Sequence, residues 1–384
     1  MVLMTSVRTE TTNACAAALC NMGQIHGCRK EMLALGLIRI MSRLLRSGTN
    51  ETQHLCTLCL TTLSFQKDLR GALLKEGALR TIGTVVARRA DPELTRQGAY
   101  ALLNFAFDPQ TREDVITEDG LPALMALLDL EEEALRQVDE ATRANSLMAL
   151  CNLLADPATC PQVLEAGVLL KLVGFTRYLD TVPSLHEYLA VALLNLSIHT
   201  DVRPYVARTP GCVDLLLELA IFGIEKAAPG GARVATESSR ATKALKTLFN
   251  LGMEPQSHEV LLSRSLRLGL LDAIGKLIGM QKEVEDDDAS VSSQGSRPGK
   301  PRKRRHKASK DKQPAQAHDG NSAQHLCAML LHVLTTNQDN HDALLGGGAV
   351  LLLVKLSQSP NEVTKTAVAG SLYQGRKRER NSQL

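Results

Sequence analysis

The sequence predicts an all-α protein built as an α-solenoid, a stack of helical repeats. The chain of 384 residues contains six Phe, five Tyr and no Trp, so its core must consist mainly of Leu, Ala, Val, Ile and Met. Leu and Ala are good helix formers, whereas aromatic residues favour strands. Apolar segments with helical spacing recur with a period of about 42 residues. A glycine interrupts the apolar residues of each period, which predicts a bend between two helices.

The third helix of each repeat is predicted to end near a Leu-x-Asn motif. The five complete motifs end at Asn21, Asn104, Asn152, Asn195 and Asn250. Three further segments keep the Leu and place Thr62, Val333 or Gln374 at the Asn position. We call these eight positions the Asn positions, because they set the repeat frame.

The first and second helices of each repeat are predicted to meet at a glycine that follows the Asn position. These glycines are Gly36, Gly77, Gly120, Gly167, Gly211, Gly269 and Gly348. A glycine at the end of a helix favours a sharp bend, because it adopts the left-handed conformation without strain. Each repeat is therefore a short helix, a bend, a longer helix, a loop and a third helix.

The constant pairing of the glycine with Leu-x-Asn resembles the armadillo repeat, over nearly the whole chain except one linker. HEAT repeats have the same period but usually lack this pair. The resemblance implies a right-handed α-solenoid whose third helices line a concave groove. It also implies that Asn21, Asn104, Asn152, Asn195 and Asn250 form a ladder that holds the main chain of a bound peptide. A carboxamide suits this role because it offers both a donor and an acceptor. The alternative is that these Asn side chains satisfy neighbouring backbone groups inside the solenoid.

Other candidate groove residues follow from the same repeat frame. Importin-α proteins carry a Trp four residues before the Asn, where this chain has Tyr100 and Lys246 among others. The chain has no Trp, which argues against a classical import adaptor. Lys243, Lys246 and Arg240 share one predicted helix and could form a basic floor for an acidic ligand. The alternative interpretation of these cations is a plain solvated helix face.

The chain is predicted to consist of armadillo repeats at 1–282, a disordered insertion at 283–321, further repeats at 322–375 and a basic, frayed tail at 376–384. Three repeats are longer than the period, and the excess falls between the second and third helices. The corresponding insertions are expected at 129–140, 227–239 and 283–321. Because they share one loop type, we expect them on one edge of a solenoid.

The insertion at 283–321 carries an acidic block at 285–288 and a basic run, and it is almost free of apolar residues. Such a segment cannot bury enough surface to fold, so we expect disorder. The basic run is a candidate nuclear localisation signal, and it comprises Lys300, Arg302, Lys303, Arg304, Arg305 and Lys307. The alternative is a solvated or internally paired loop. Ser309 is a candidate phosphorylation site, where a phosphate would reduce the local positive charge.

No catalytic residue, cofactor or metal site is predicted from the sequence. The nucleotide-binding motif GxxxxGK[ST], the hydrolase motif GxSxG and the metalloprotease motif HExxH are all absent. Cys56 and Cys59 form the only CxxC pair, and their place in the repeat frame indicates buried packing rather than zinc. We expect nine free thiols, no membrane span, and a location in the cytoplasm or nucleus.

The function expected from these features is a non-enzymatic scaffold that binds other proteins, as extended peptides or partner helices. One alternative is a nucleocytoplasmic transport or nuclear regulatory protein that uses Lys300–Lys307 as its signal. Another alternative is a non-catalytic subunit of an enzyme or of an axonemal assembly. Nucleic acid is not an expected partner, because residues outside Arg297–Lys312 carry a net negative charge. The sequence does not indicate an oligomeric state. The chain begins in a third helix, so we expect a fragment or an open end that docks on another molecule.

Overall fold

The computed structural model describes residues 9–89, 91–131, 138–225, 232–276, 278 and 323–382. These residues form helices joined by turns, and none of them lies in a β-strand. The prediction of an all-α fold is therefore confirmed. The chain divides into two compact units, Met1–Val202 and Arg203–Leu384.

The first unit contains successive helices that follow the predicted order of first, second and third helix. In chain order they are α1 (Thr9–Gln24), α2 (Arg29–Ala34), α3 (Leu37–Ser47), α4 (Asn50–Ser64), α5 (Lys67–Lys75), α6 (Ala78–Arg88), α7 (Pro92–Phe107), α8 (Arg112–Thr117), α9 (Gly120–Ala126), α10 (Glu140–Leu154), α11 (Cys160–Glu165), α12 (Val168–Gly174) and α13 (His186–Ile198). The third helices of this unit are α1, α4, α7, α10 and α13. Each of them packs beside the next one along the chain.

The second unit has the same order of helices. They are α14 (Arg203–Arg208), α15 (Cys212–Glu225), α16 (Ala232–Gly252), α17 (His258–Arg267), α18 (270–276), α19 (Ala323–Thr336), α20 (His341–Gly346), α21 (Ala349–Leu356) and α22 (Glu362–Ser382). The third helices are α16, α19 and α22, and α19 packs between the other two.

The third helices α4, α7 and α10 begin where a polar side chain caps the first turn. Thr49 accepts a hydrogen bond from the backbone N–H of Thr52, and Asp139 accepts one from Thr142. Asp91 accepts hydrogen bonds from the backbone N–H groups of both Glu93 and Leu94. Pro92 occupies the first helical position, where its lack of a backbone N–H costs the helix no hydrogen bond. These caps fix the residue at which each of these three helices begins.

The bend between the first and second helices is confirmed at six of the seven predicted glycines. Gly36, Gly77, Gly167, Gly211, Gly269 and Gly348 all have positive φ values, between 75° and 83°. At the third predicted bend the left-handed residue is Asp119, with φ 66°, and Gly120 is instead the first residue of α9. The prediction for Gly120 is therefore wrong by one residue. Asp tolerates the left-handed region better than most residues, so a glycine is not required there.

The core of each unit consists of aliphatic side chains from all three helices of the repeats. Phe105 and Phe175 are the largest fully buried side chains of the first unit, and Leu residues such as Leu102 and Leu193 are fully buried as well. In the second unit Ile224, Ala241 and Ala273 form a cluster that joins α15, α16 and α18. This aliphatic core agrees with the composition.

The structure locates two of the three predicted insertions in part. Residues 129–131 and 138–139 lie outside helices, between α9 and α10. The insertion predicted at 227–239 is helical from Ala232, because its excess residues lengthen α16 at its N-terminus. The insertion at 283–321 lies outside the described residues.

The predicted tail differs from the structure. The last helix, α22, continues to Ser382, whereas a frayed segment was expected from residue 376. Arg, Lys and Glu dominate 376–380, and all three are good helix formers, so the charge of this segment does not end the helix.

Candidate binding surface on the third helices

The Asn ladder is divided into buried and accessible members. Asn104 is 7% exposed, and its Nδ2 donates to Ser64 Oγ on the preceding third helix at 3.0 Å. Asn195 is half-buried and donates to the backbone oxygen of Cys151 on α10 at 2.8 Å. Both carboxamides therefore join one repeat to the preceding one. This is the structural role that the sequence left open as the alternative.

The other three members of the ladder lie on the same helix positions with different surroundings. Asn21 is exposed and Asn152 is half-buried, and neither carboxamide has a hydrogen-bond partner in the part of the chain that the structure describes. Asn250 is half-buried and does make an interaction. Asn152 lies on α10, between α7 and α13, which places an available carboxamide in the middle of the first unit.

Large apolar side chains are exposed on the third helices beside the ladder. On α4 these are Leu58, 41% exposed, and on α7 Tyr100, 40% exposed. Seven residues further along, at the end of each helix, lie Phe65 and Phe107, which are 60% and 67% exposed. Because seven residues are close to two helical turns, each pair shares one face of its helix. We call Leu58, Phe65, Tyr100 and Phe107 the apolar rows.

Tyr100 was predicted from the sequence as a groove residue, whereas the other members of the apolar rows were not. Phe65 and Phe107 both follow the Asn position by three residues, as do Ile198 and Met253, which are 57% and 52% exposed. This recurrence was visible in the repeat frame and could have been used.

The basic residues of α16 lie in three different environments. Lys246 is exposed, and Lys243 is half-buried and donates to Ser239 Oγ at 2.5 Å. Arg240 is buried, with its guanidinium 5.4 Å from the centre of the Phe222 ring. The structure therefore does not bring all three cations together on one open surface, and Lys246 is the accessible one.

A groove with a volume of about 460 Å³ lies between the third helices α16, α19 and α22. Phe249 and Met253 line it from α16, Met329 and Val333 from α19, and Val363 from α22. None of its lining residues is Asp, Glu, Lys or Arg. The second unit therefore contains an apolar depression on the same helices that carry the predicted ladder.

Arginines that follow three of the third helices form a second recurring feature, which was not predicted from the sequence. Arg29, Arg70 and Arg112 each lie eight residues after an Asn position. Their Nε atoms donate to backbone oxygens six residues earlier, at the ends of α1, α4 and α7, with distances of 2.7, 2.8 and 3.0 Å. A cation at this place satisfies carbonyls that have no partner within the helix.

Two of these arginines also bind a carboxylate of the next repeat. Arg70 lies 3.1 Å from Asp108, and Arg112 lies 3.0 Å from Asp156. The pKa of Asp156 is lowered, mainly by the backbone N–H of Ala158 and further by Arg112. These ion pairs connect successive repeats, so we assign them to the stability of the stack.

The cysteines are consistent with packing. Cys56 and Cys59 are 1% and 0% exposed, and burial raises the pKa of the Cys56 thiol to about 12. All nine cysteines are free. Among the described residues no cluster of His, Cys, Asp and Glu could hold a metal ion, and no helix has the length and apolar character needed to cross a membrane.

The candidate localisation signal, Lys300 to Lys307, and the candidate phosphorylation site Ser309 lie outside the described residues. Both stay predictions.

Comparison with solved structures identifies the architecture. A computationally designed armadillo repeat protein for modular peptide recognition is 17% identical, with a TM-score of 0.52 over 64% of this chain and 97% of that chain. A designed armadillo repeat protein in complex with the peptide (KR)4 is 16% identical, with a TM-score of 0.51 over 64% of this chain and 96% of that one. The protein has an armadillo-repeat fold. The fold predicted from the glycines and the Leu-x-Asn motifs is thus confirmed.

A third armadillo-like structure covers more of the chain. It comes from work on a conserved phosphorylation switch that controls the interaction between cadherin and beta-catenin. It is 15% identical, with a TM-score of 0.54 over 95% of this chain and 66% of that chain. No protein-family model matches the sequence, and comparison with curated proteins finds no similar one. The armadillo assignment therefore describes the fold of this protein.

Proposed function

We propose that this armadillo-repeat protein is a non-enzymatic scaffold that binds an extended peptide or a partner helix along its third helices. Two of the structures with the same fold support the proposal. One is a designed protein in complex with the peptide (KR)4, and the other concerns the interaction of cadherin with beta-catenin.

The observation that carries the proposal is the recurrence of exposed apolar side chains on successive third helices. Leu58 on α4 and Phe65 at its end, and Tyr100 and Phe107 on α7, are all at least 40% exposed, and α4 packs beside α7. Full burial of an exposed side chain contributes about 1.5–3 kcal/mol, so covering the exposed part of one of these side chains contributes about 0.6–2 kcal/mol. Exposed apolar surface that is concentrated on one part of a protein commonly marks an interaction site.

The carboxamides beside the apolar rows give such a surface polar groups for recognition. A peptide in extended conformation presents a backbone N–H and a C=O at each residue, and an Asn side chain can pair with both. Asn152 has its full hydrogen-bonding capacity available, since it makes no bond within the described chain. Asn195 uses one N–H for Cys151 and keeps its carboxamide oxygen for a ligand. Asn104 is too deeply buried to contribute directly.

The experiment that tests this proposal is selection of peptides from a random 12-residue display library on the purified chain. Synthetic copies of the selected peptides are then titrated against variants by fluorescence anisotropy. Asn152→Ala should weaken binding about fivefold or more, the loss expected for one hydrogen bond of about 1 kcal/mol. Phe107→Ser should weaken it further, because it removes an apolar contact.

A matched control is Gln162→Ala, which deletes a carboxamide of the same kind from an exposed position on the first helix α11. It should leave binding unchanged. If Asn152→Ala and Phe107→Ser bind every selected peptide as tightly as Gln162→Ala does, the third helices of the first unit are not the binding surface.

A further inference from the structure

We propose that the apolar groove of the second unit anchors a large apolar side chain from an extended acidic peptide, whose carboxylates pair with Lys246. The inference rests on the proposed function, because it takes the third helices as the binding surface and specifies the ligand chemistry of one part of it. We call the groove between α16, α19 and α22 the anchor groove.

The size and lining of the anchor groove suit an apolar side chain. Its volume, about 460 Å³, lies within the range of sites that enclose small ligands. Phe249, Met329 and Val333 form much of its wall, and Met adapts its shape to irregular partners. Water in such a groove finds few hydrogen-bond partners, so an apolar group should displace it readily.

Two exposed side chains at the groove favour occupation. Met253 is 52% exposed and Val363 is 55% exposed, although both line the depression. A ligand side chain placed between them would remove apolar surface from water on both sides of the groove.

The shape of the anchor groove depends on glycines in the third helices. Gly370 lies four residues before the Asn position of α22, where α7 has Tyr100. A Cβ atom at Gly370 would lie 2.6 Å from Cε1 of His332, so the His332 ring occupies space that a side chain would fill in another repeat. A Cβ atom at Gly252 would lie 3.3 Å from Val333. The close approach of these helices is thus encoded by residues without side chains.

The charges near the groove select an acidic ligand. Lys246 is exposed and has no ion-pair partner within the described part of the chain. The carboxylates that follow Met253 and precede Val363 in sequence are paired within the unit, Glu254 with Arg203 at 3.6 Å and Glu362 with Lys365 at 2.7 Å. Glu259 is exposed, but it belongs to the first helix α17 rather than to a third helix. The unpaired charge on the third helix α16 at the groove is therefore positive, and a basic peptide lying along α16 would meet an unpaired cation.

The arrangement along α16 fits an extended ligand. Lys246 and Met253 are seven residues apart, about 10.5 Å along the helix, and Asn250 lies between them. A peptide that crosses α16 at Asn250 directs alternate side chains to opposite sides of its own backbone. Apolar side chains would then reach the groove beside Met253, and acidic side chains would reach Lys246.

The test uses the same 12-residue library, and it counts which residues are enriched in peptides selected on the full chain. The expected result is a large apolar residue next to Asp or Glu. Met253→Asp and Val363→Asp should each lower the affinity of these peptides about tenfold or more, since each removes an apolar contact and adds a negative charge. Lys246→Glu should lower it about threefold and shift the enrichment from Asp and Glu to Lys and Arg.

The control is Leu351→Asp, which makes the same change on α21 at a position that is 62% exposed and does not line the groove. The inference is overturned if Met253→Asp and Val363→Asp bind as Leu351→Asp does, or if the wild-type chain selects basic peptides. Thermal unfolding of all variants by circular dichroism shows whether each remains folded.

The two proposals fail in different ways. Loss of binding in Asn152→Ala without loss in Met253→Asp would overturn the anchor groove and leave the scaffold function. Loss in Met253→Asp without loss in Asn152→Ala would support the anchor groove and overturn the carboxamide contact in the first unit. A library that yields no peptide above background would overturn both.

Discussion

Removal of the buried Arg70 guanidinium should destabilise the first unit more than removal of an exposed, ion-paired arginine. Arg70 lies between two repeats, and its side chain is 8% exposed. Its Nε donates to the backbone oxygen of Ser64 at 2.8 Å, and its Nη2 donates to that of Phe65 at 3.4 Å. Its Nη1 donates to Asp108 Oδ2 at 3.1 Å. Asp108 is also buried, with 3% of its side chain exposed.

The expected loss for Arg70→Met is about 3–5 kcal/mol in the free energy of unfolding, because the change leaves a buried carboxylate without its cation. The helix carbonyls of Ser64 and Phe65 lose their side-chain donor at the same time. The double variant Arg70→Met with Asp108→Leu should recover much of this loss, since it also removes the buried charge.

Urea unfolding followed by far-ultraviolet circular dichroism measures these differences. The control is Arg80→Met, because Arg80 also pairs with carboxylates across a repeat boundary, those of Glu118 and Asp119, but is 72% exposed. Its loss should be at most about 1 kcal/mol. Equal unfolding midpoints for Arg70→Met and Arg80→Met would refute the reasoning that burial increases the contribution of the Arg70–Asp108 pair to stability.

Three further predictions concern the conformation of a glycine, the pH dependence of stability and the reactivity of the thiols. Gly77→Ala should destabilise the protein by about 1–2 kcal/mol, because Gly77 has φ 79°, whereas Gly71→Ala, within helix α5, should stabilise it by up to about 1 kcal/mol. Neither added Cβ would meet an atom within 4 Å, so urea unfolding should report backbone conformation alone, and equal signs would contradict this assignment. The lowered pKa of Asp156 gives stability that is present above about pH 4 and lost as the pH falls through its folded-state value, so Asp156→Asn should flatten the acid branch of unfolding free energy against pH. Only Cys15 and Cys28 are partly exposed among the nine cysteines. A chromogenic thiol reagent should therefore modify about two thiols per folded chain and nine after denaturation. Rapid modification of a third thiol in the folded chain would contradict the burial of the other seven.

The repeat frame made most of the fold predictable, because a solenoid imposes the same local requirement in every repeat. The left-handed bend needs a residue that tolerates positive φ, and a glycine at constant spacing indicates it. The exception at Asp119 shows the limit, since Asp also satisfies this requirement and Gly120 beside it has another reason to lack a side chain. A Cβ atom at Gly120 would lie 2.7 Å from the backbone oxygen of Val115. Sequence alone does not separate these two reasons for a glycine.

The candidate site was less predictable, because it depends on what neighbouring repeats supply. Asn104 and Asn152 occupy equivalent positions in the motif. Asn104 is buried against Ser64 of the preceding repeat, and Asn152 has no such partner. The anchor groove likewise depends on different repeats, because Gly252 lets Val333 approach α16 and Gly370 leaves the space that the His332 ring fills. These effects join residues about 40 positions apart or more, beyond the reach of a local motif.

The internal bonds of the ladder and its binding role are compatible for some members and not for others. An Asn carboxamide has two N–H donors and an oxygen with two lone pairs, so one internal bond leaves most of its capacity. The exposure of each carboxamide decides whether it can also bind a ligand. The bond from Asn195 to Cys151 fixes the orientation of a half-buried carboxamide, which lowers the entropy lost when a peptide backbone pairs with its oxygen. The bond from Asn104 to Ser64 instead closes a buried contact at 7% exposure, so loss of Asn104 should change stability before it changes affinity. The five Asn residues that look equivalent in the sequence therefore divide into those that stabilise the solenoid and those that can bind a ligand.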